Sequence, residues 1–140
     1  MLISRYMHIE KETIDQTVEA LRALADPARL RLLRAVQSAS GRVCVCELVA
    51  ALALPQAQVS RHLGRLKRAG WLHSERHGTW AYYRLPDRLA PHRQRLLRAI
   101  EQLDETPFKA DAQRLKRRLA LREGGLCVLG YDSVFTQFSS

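Results

Sequence analysis

The stretch from Val43 to Leu85 constrains the fold more than any other part of the chain. Its opening, Val43 to Leu52, sets Leu48, Ala51 and Leu52 as apolar positions and predicts a short helix. Ala53-Leu54-Pro55 forms a tight turn. A second helix is expected from Pro55 to Ala69, with Val59, Leu63 and Leu66 inward and Gly70 as its C-terminal stop. Two short helices joined this closely, the second one basic, make a helix-turn-helix. Trp71–Arg76 and Thr79–Leu85 follow, rich in aromatic and β-compatible residues and separated by the turn pair His77-Gly78. They predict a hairpin, and a hairpin directly after the second helix is a wing.

The flanks are helical. Ile14, Val18, Leu21 and Ala25 recur on one face of a helix over Thr13–Ala25. Asp26-Pro27 marks a new start, with Asp26 as cap and Pro27 at the first helical position. That helix carries Leu30, Leu33 and Val36 inward and Arg29, Arg31 and Arg34 on its other faces. Helical spacing resumes over Leu89–Leu103, and a last amphipathic stretch places Phe108, Ala112, Leu115 and Leu119 on one face. The expected fold class is mainly α with a small β-hairpin wing, a winged helix-turn-helix. It comprises one domain over 1–105, an additional amphipathic helix over 106–123, and a flexible tail over 124–140 carrying Cys127.

Composition narrows the partners. Lys and Arg number 23 against 14 Asp and Glu, giving a formal charge of +9. This imbalance favours polyanions, because each neutralised phosphate releases condensed counterions. No run approaches the ~20 apolar residues of a membrane span. The start of the chain, with His8, Glu10, Lys11 and Glu12, lacks the apolar core of a secretory signal. The expectation is a cytoplasmic protein without a membrane partner, in a compartment where thiols stay reduced. Three cysteines, two of them one residue apart, do not form a disulfide framework.

The second helix of the pair suits a major groove. Gln56 and Gln58 each offer a donor and an acceptor together, as an adenine edge requires. Arg61 can grip guanine bidentately or a phosphate, and Ser60 and His62 suit either partner. Arg65, with Lys67 and Arg68, has the chemistry of backbone anchoring. In the wing, Arg76, His77 and Thr79 surround the tip, where they serve either the adjacent minor groove or simply a polar turn. Trp80, Tyr82 and Tyr83 are read as wing and core packing.

Cys44 and Cys46 open the first helix of the pair, and thiolates select soft or borderline ions. On a regular helix, residues i and i+2 point about 200° apart. Both sulfurs then bind one atom only if the helix start unwinds, which would couple capture to the DNA-reading unit. The plainer alternative is two small buried thiols.

Three stretches together resemble the ArsR/SmtB family of metal-sensing repressors, and specifically its arsenite-responsive branch. Leu24-Ala25-Asp26-Pro27-Ala28-Arg29-Leu30-Arg31-Leu32-Leu33 is similar to the family's opening motif. Cys44-Val45-Cys46-Glu47-Leu48 is similar to its metalloid box. Gln58 to Leu63, Ala69 to Leu72 and Gly78 to Leu85 are similar to its recognition helix and wing.

The resemblance implies a homodimer, paired through the first helix and the helix around Leu89–Leu103, that binds a double-stranded promoter operator without any cofactor. It implies repression in the free state and release when arsenite or antimonite binds Cys44 and Cys46. Val49 stands where some relatives have a further cysteine, so the third sulfur is Cys127, an external thiol or none. Pro55 replaces a frequent capping serine, which implies a different start to the recognition helix. Ligands at the spacing of the zinc branch are missing from Leu89–Leu103, where His92 is an exposed helix-start residue. The alternative within the same fold is a thiol-based redox or sulfide-responsive repressor pairing Cys44 with Cys127. An enzyme is not expected: a dithiol oxidoreductase would need a Cys-x-x-Cys motif in a βαβ setting.

Overall fold

A computed structural model of the chain describes residues 12–127. Helix α1 (Ile14–Leu24) starts at a reciprocal cap. Thr13 Oγ1 accepts the Gln16 N–H at 3.1 Å, and Gln16 Oε1 accepts the Thr13 N–H at 2.9 Å. After the break at Ala25, Asp26 accepts the Arg29 N–H at 3.1 Å and Pro27 opens α2 (Pro27–Ser38). The expected Asp-Pro start is therefore the observed one.

A two-residue strand, β1 (Val43–Cys44), precedes α3 (Val45–Leu52), every residue of which is buried. Ala53 turns the chain in the left-handed region, at φ 54°, into α4 (Gln56–Arg68). Pro55 provides no side-chain cap, and its carbonyl accepts the N–H groups of Gln58 and Val59. At the other end of α4, Gly70 at φ +83° lets its own N–H reach the Lys67 carbonyl and the Trp71 N–H reach that of Leu66. The wing strands β2 (His73–His77) and β3 (Trp80–Arg84) form the expected hairpin about Gly78.

The sheet has one more strand than the sequence suggested. Val43 pairs with Tyr83 and Cys44 with Tyr82, so the order is β1-β3-β2, antiparallel throughout. Helix α5 (Pro91–Glu101), a 3₁₀ turn at Thr106–Phe108 and α6 (Lys109–Leu119) complete the described chain. The core gathers Leu32, Leu33, Leu48, Leu52, Val59, Leu63, Leu66 and Trp71, and the Trp71 indole N–H is satisfied by the Ala20 carbonyl at 2.8 Å.

Expectations about the faces of three helices are corrected. On α1 it is Ala20 and Ala23 that pack inward, while Ile14 (81% exposed), Val18 and Leu21 face out. On α2, Leu32 joins the core in place of Leu30, which is only partly buried. The α2 arginines are structural clamps. Arg31 holds Asp111 and the Leu52 carbonyl, Arg34 holds the Ile100 and Glu101 carbonyls, and Arg29 holds the Ala23 carbonyl. On α6, Ala112 is exposed, and Asp111 and Arg118 are buried beside Leu115. No described helix is long and apolar enough to cross a membrane. Tyr131, Phe135 and Phe138 of the expected tail lie outside the described residues, as do residues 1–11.

Candidate thiol site and nucleic-acid interface

Val43 is β-branched and pairs with Tyr83, so the backbone is still extended when it reaches Cys44, at φ −81° and ψ 160°. The helix begins one residue later. Cys44 is thus the cap of α3 and Cys46 lies in its first turn, which brings their Sγ atoms to 2.6 Å. The expected conflict between i and i+2 does not arise, because only Cys46 is on the helix. The two thiols converge with α3 intact.

The third cysteine arrives from the far end of the chain. After α6, Glu123 and Leu126 exchange main-chain hydrogen bonds around Gly124-Gly125, and the turn delivers Cys127 to 3.0 Å from Cys46. All three sulfurs lie within 4.8 Å of one another, and all three residues are buried. The Cys127 N–H donates to the Tyr82 hydroxyl at 3.0 Å. Beneath the thiols, Glu47 is 1% exposed. Its Oε1 accepts the Cys44 N–H at 2.9 Å, and the Arg122 guanidinium grips both carboxylate oxygens at 2.6 and 2.7 Å.

This packing favours the protonated form of Cys44 and Cys46. Hydrogen bonding from Cys127, then from Cys46, and then burial push the Cys44 thiol well above its ordinary range. Cys46 is raised for the same first reason, with Cys44 and Arg118 opposing. Burial likewise raises the Tyr82 phenol. Tyr82 also leads outward to the wing tip. The His77 ring meets it edge-on at 5.6 Å, and the Arg42 guanidinium lies 4.8 Å from its centroid while contacting His77.

The residues expected to meet nucleic acid lie along α4 and at the wing tip. Arg61 is exposed, with Gln56, Gln58, Ser60 and His62 partly so, and Gln56 Nε2 donates to Ser60 Oγ at 2.8 Å. Arg65 reaches back to Glu19 on α1 at 3.0 Å, and His62 Nδ1 lies 3.4 Å from Arg29. Arg76, His77 and Thr79 are exposed around the hairpin turn.

Glu47, Arg122 and Arg42 carry no role that sequence reasoning assigned. The spacing from Cys44 to Glu47, that of a capping box, was the available signal for Glu47. Nothing local marks Arg122, whose partner lies 75 positions away.

Residues 26–74 match the family described as "Bacterial regulatory protein, arsR family". The arsenic resistance transcriptional regulator ArsR1 of Pseudomonas putida is 37% identical over 94 residues, 67% of this chain and 73% of that protein. The chain belongs to the ArsR family. ArsR2 of the same organism is 36% identical, over 70% of this chain and 84% of its own length.

Among solved structures, the AntR antimony-specific transcriptional repressor superposes with a TM-score of 0.51 at 31% identity, over 66% of this chain and 85% of AntR. Reduced HlyU from Vibrio cholerae gives 0.54 at 25% identity, over 64% and 88%. The chain is accordingly an ArsR-family transcriptional repressor with a winged helix-turn-helix fold, in a family of DNA-binding regulators rather than enzymes.

Proposed function

We propose that this ArsR-family chain is a cytoplasmic homodimeric repressor that releases its operator when arsenite or antimonite is captured by Cys44, Cys46 and Cys127. The observation that carries this is the convergence of three buried thiols from two distant segments at the start of the helix-turn-helix. The arsenical-resistance regulators among its relatives and the antimony specificity of AntR support the ligand class.

The protonated thiols suit a metalloid hydroxide. Each S–H proton leaves with one hydroxide of As(OH)₃ as water, three sulfur–arsenic bonds replace three oxygen–arsenic bonds, and no net charge is buried. A divalent cation on three thiolates would leave a net negative charge beside Glu47, at a desolvation cost. Peroxide sensing is disfavoured on the same ground, since the thiolate is the reactive nucleophile.

Operator contact is assigned to Gln56, Gln58, Ser60, Arg61 and His62 on α4, with Arg65 on the phosphates and Arg76, His77 and Thr79 at the wing. Release needs no unwinding of α3. Seating one atom among three sulfurs that already lie 2.6 and 3.0 Å apart spreads them and displaces Cys127 and Tyr82, and Tyr82 carries Arg42 and His77 at the edge of the DNA-reading surface. The liganded and free states must differ in operator affinity for this to transmit anything.

A mobility-shift titration with arsenite, antimonite, cadmium, zinc and peroxide tests the proposal. Arsenite and antimonite should release the operator, and the Cys46→Ser protein should bind it normally but fail to respond. Normal arsenite release from Cys46→Ser would sink the assignment.

A further inference from the structure

We propose that Arg122 sets how many thiols the site offers: by clamping Glu47 it seats Cys127 as the third sulfur, and so favours ligands that need three thiols over ligands that need two. This rests on the thiol site proposed above and names the residue that decides its selectivity.

The chain between the clamp and the thiol is short and closed on itself. Arg122 is followed by the Glu123–Leu126 turn, whose reciprocal main-chain bonds are both 3.0 Å, and Cys127 comes next. Fixing Arg122 therefore fixes where Cys127 emerges. Arg122 is held by three hydrogen bonds, two to Glu47 and one from Nη2 to the Arg42 carbonyl at 2.8 Å. The same Glu47 carboxylate receives the Cys44 N–H. One buried acid thus ties the segment bearing Cys127 to the backbone of Cys44, at opposite ends of the triad. Cys44 and Cys46 are placed by β1 and α3, whereas Cys127 lies beyond the last described helix. Among the described residues this clamp and Tyr82 both help to seat it, and a preorganised donor spares the ligand the entropy of recruiting it.

Two arsenicals separate the roles. Arsenite consumes three thiols, releasing three waters. Hydrated phenylarsine oxide carries one aryl group and two hydroxides, and it consumes two thiols, releasing two waters. Arg122→Ala alone would leave the Glu47 charge buried, so the main variant is Arg122→Gln/Glu47→Gln, whose amide still accepts the Cys44 N–H. Arg122→Lys is the second variant, because lysine keeps the charge but loses the bidentate grip.

Binding is read by tryptophan fluorescence and arsenic–thiolate absorbance on full-length protein, with operator binding confirming the fold. In the double variant, arsenite affinity should fall about 10–100-fold, the usual effect of losing a residue that orients a ligand. Phenylarsine oxide affinity should stay within about twofold, and Arg122→Lys should fall between. Cys127→Ser should show the same pattern, and adding it to the double variant should cost nothing further. A double variant that binds operator and arsenite as wild type does, or that loses both arsenicals equally, overturns the role of Arg122. If wild type itself fails to bind arsenite, the thiol site falls and the clamp with it.

Discussion

Cys127 donates its main-chain N–H to the Tyr82 phenol oxygen at 3.0 Å, fastening the last described residue of the chain to the middle of the wing strand β3. Tyr82 is wholly buried and Cys127 nearly so. Tyr82→Phe keeps the ring and removes that acceptor. The cost should be about 1–3 kcal/mol, as for a buried donor left without its partner. Urea denaturation measures it. The arsenite titration should weaken in parallel, because the segment bearing the third sulfur loses an anchor. A variant as stable as wild type would show that this bond contributes nothing.

Asp111 ties α6 to the rest of the domain. Its carboxylate accepts from Arg31 twice at 2.8 Å and from Arg114 at 2.9 Å, and those arginines also hold the Leu52 and Ala51 carbonyls at the end of α3. Asp111→Ala leaves two guanidinium groups facing each other with no counter-charge. Removing one partner of a buried pair costs about 3–5 kcal/mol, and the lower end applies because the two arginines remain 29% and 30% exposed. The midpoint of chemical unfolding should drop accordingly. An unchanged midpoint would mean that α6 is held by Leu115 and its neighbours alone.

The helix-turn-helix and wing were legible in the sequence because their signals are local: Pro55, Gly70, the His77-Gly78 turn and the apolar spacing between them. The thiol site was only half legible. Cys44 and Cys46 stand out in the chain, yet the start of α3 at Val45 depends on pairing between Val43 and Tyr83, which no local pattern records. Periodicity also failed on α1. It identifies an apolar stripe without saying what covers it, and here the small residues Ala20 and Ala23 pack on the core instead. The clamping roles of Arg31 and Arg34 left no mark in the sequence, because Asp111 and the Ile100 carbonyl lie 80 and 66 positions away.

The raised thiols predict a difference in pH dependence between two ligands. Cys44 and Cys46 are held above the ordinary cysteine range, so both stay protonated through neutral pH. Arsenite enters as a hydroxide and leaves water behind, so no proton is released to solvent and its affinity should be nearly flat. Cadmium must expel the thiol protons, so its affinity should climb as pH rises, by about tenfold per pH unit for each proton released. Titrations at about pH 6.5 and 8.5 separate the two behaviours. Equal slopes for both ligands would contradict neutral, buried thiols.

The outward stripe of α1 predicts the dimer contact. Ile14, Val18 and Leu21 are 81%, 37% and 45% exposed and follow one another at helical spacing. Water contact with such a row is costly, and each side chain fully buried in an interface contributes about 1.5–3 kcal/mol. A two-fold axis lets the same stripe cover itself on a second copy, which also presents two α4 helices to two half-sites. Val18→Asp/Leu21→Asp puts charge into that contact and leaves Ala20 and Ala23, the residues that dock α1 on its own core, untouched. The variant should keep its helical circular dichroism, sediment as a monomer and bind operator far more weakly, since one half-site contact must then serve for two. A variant that still sediments as a dimer would place the interface elsewhere on the chain.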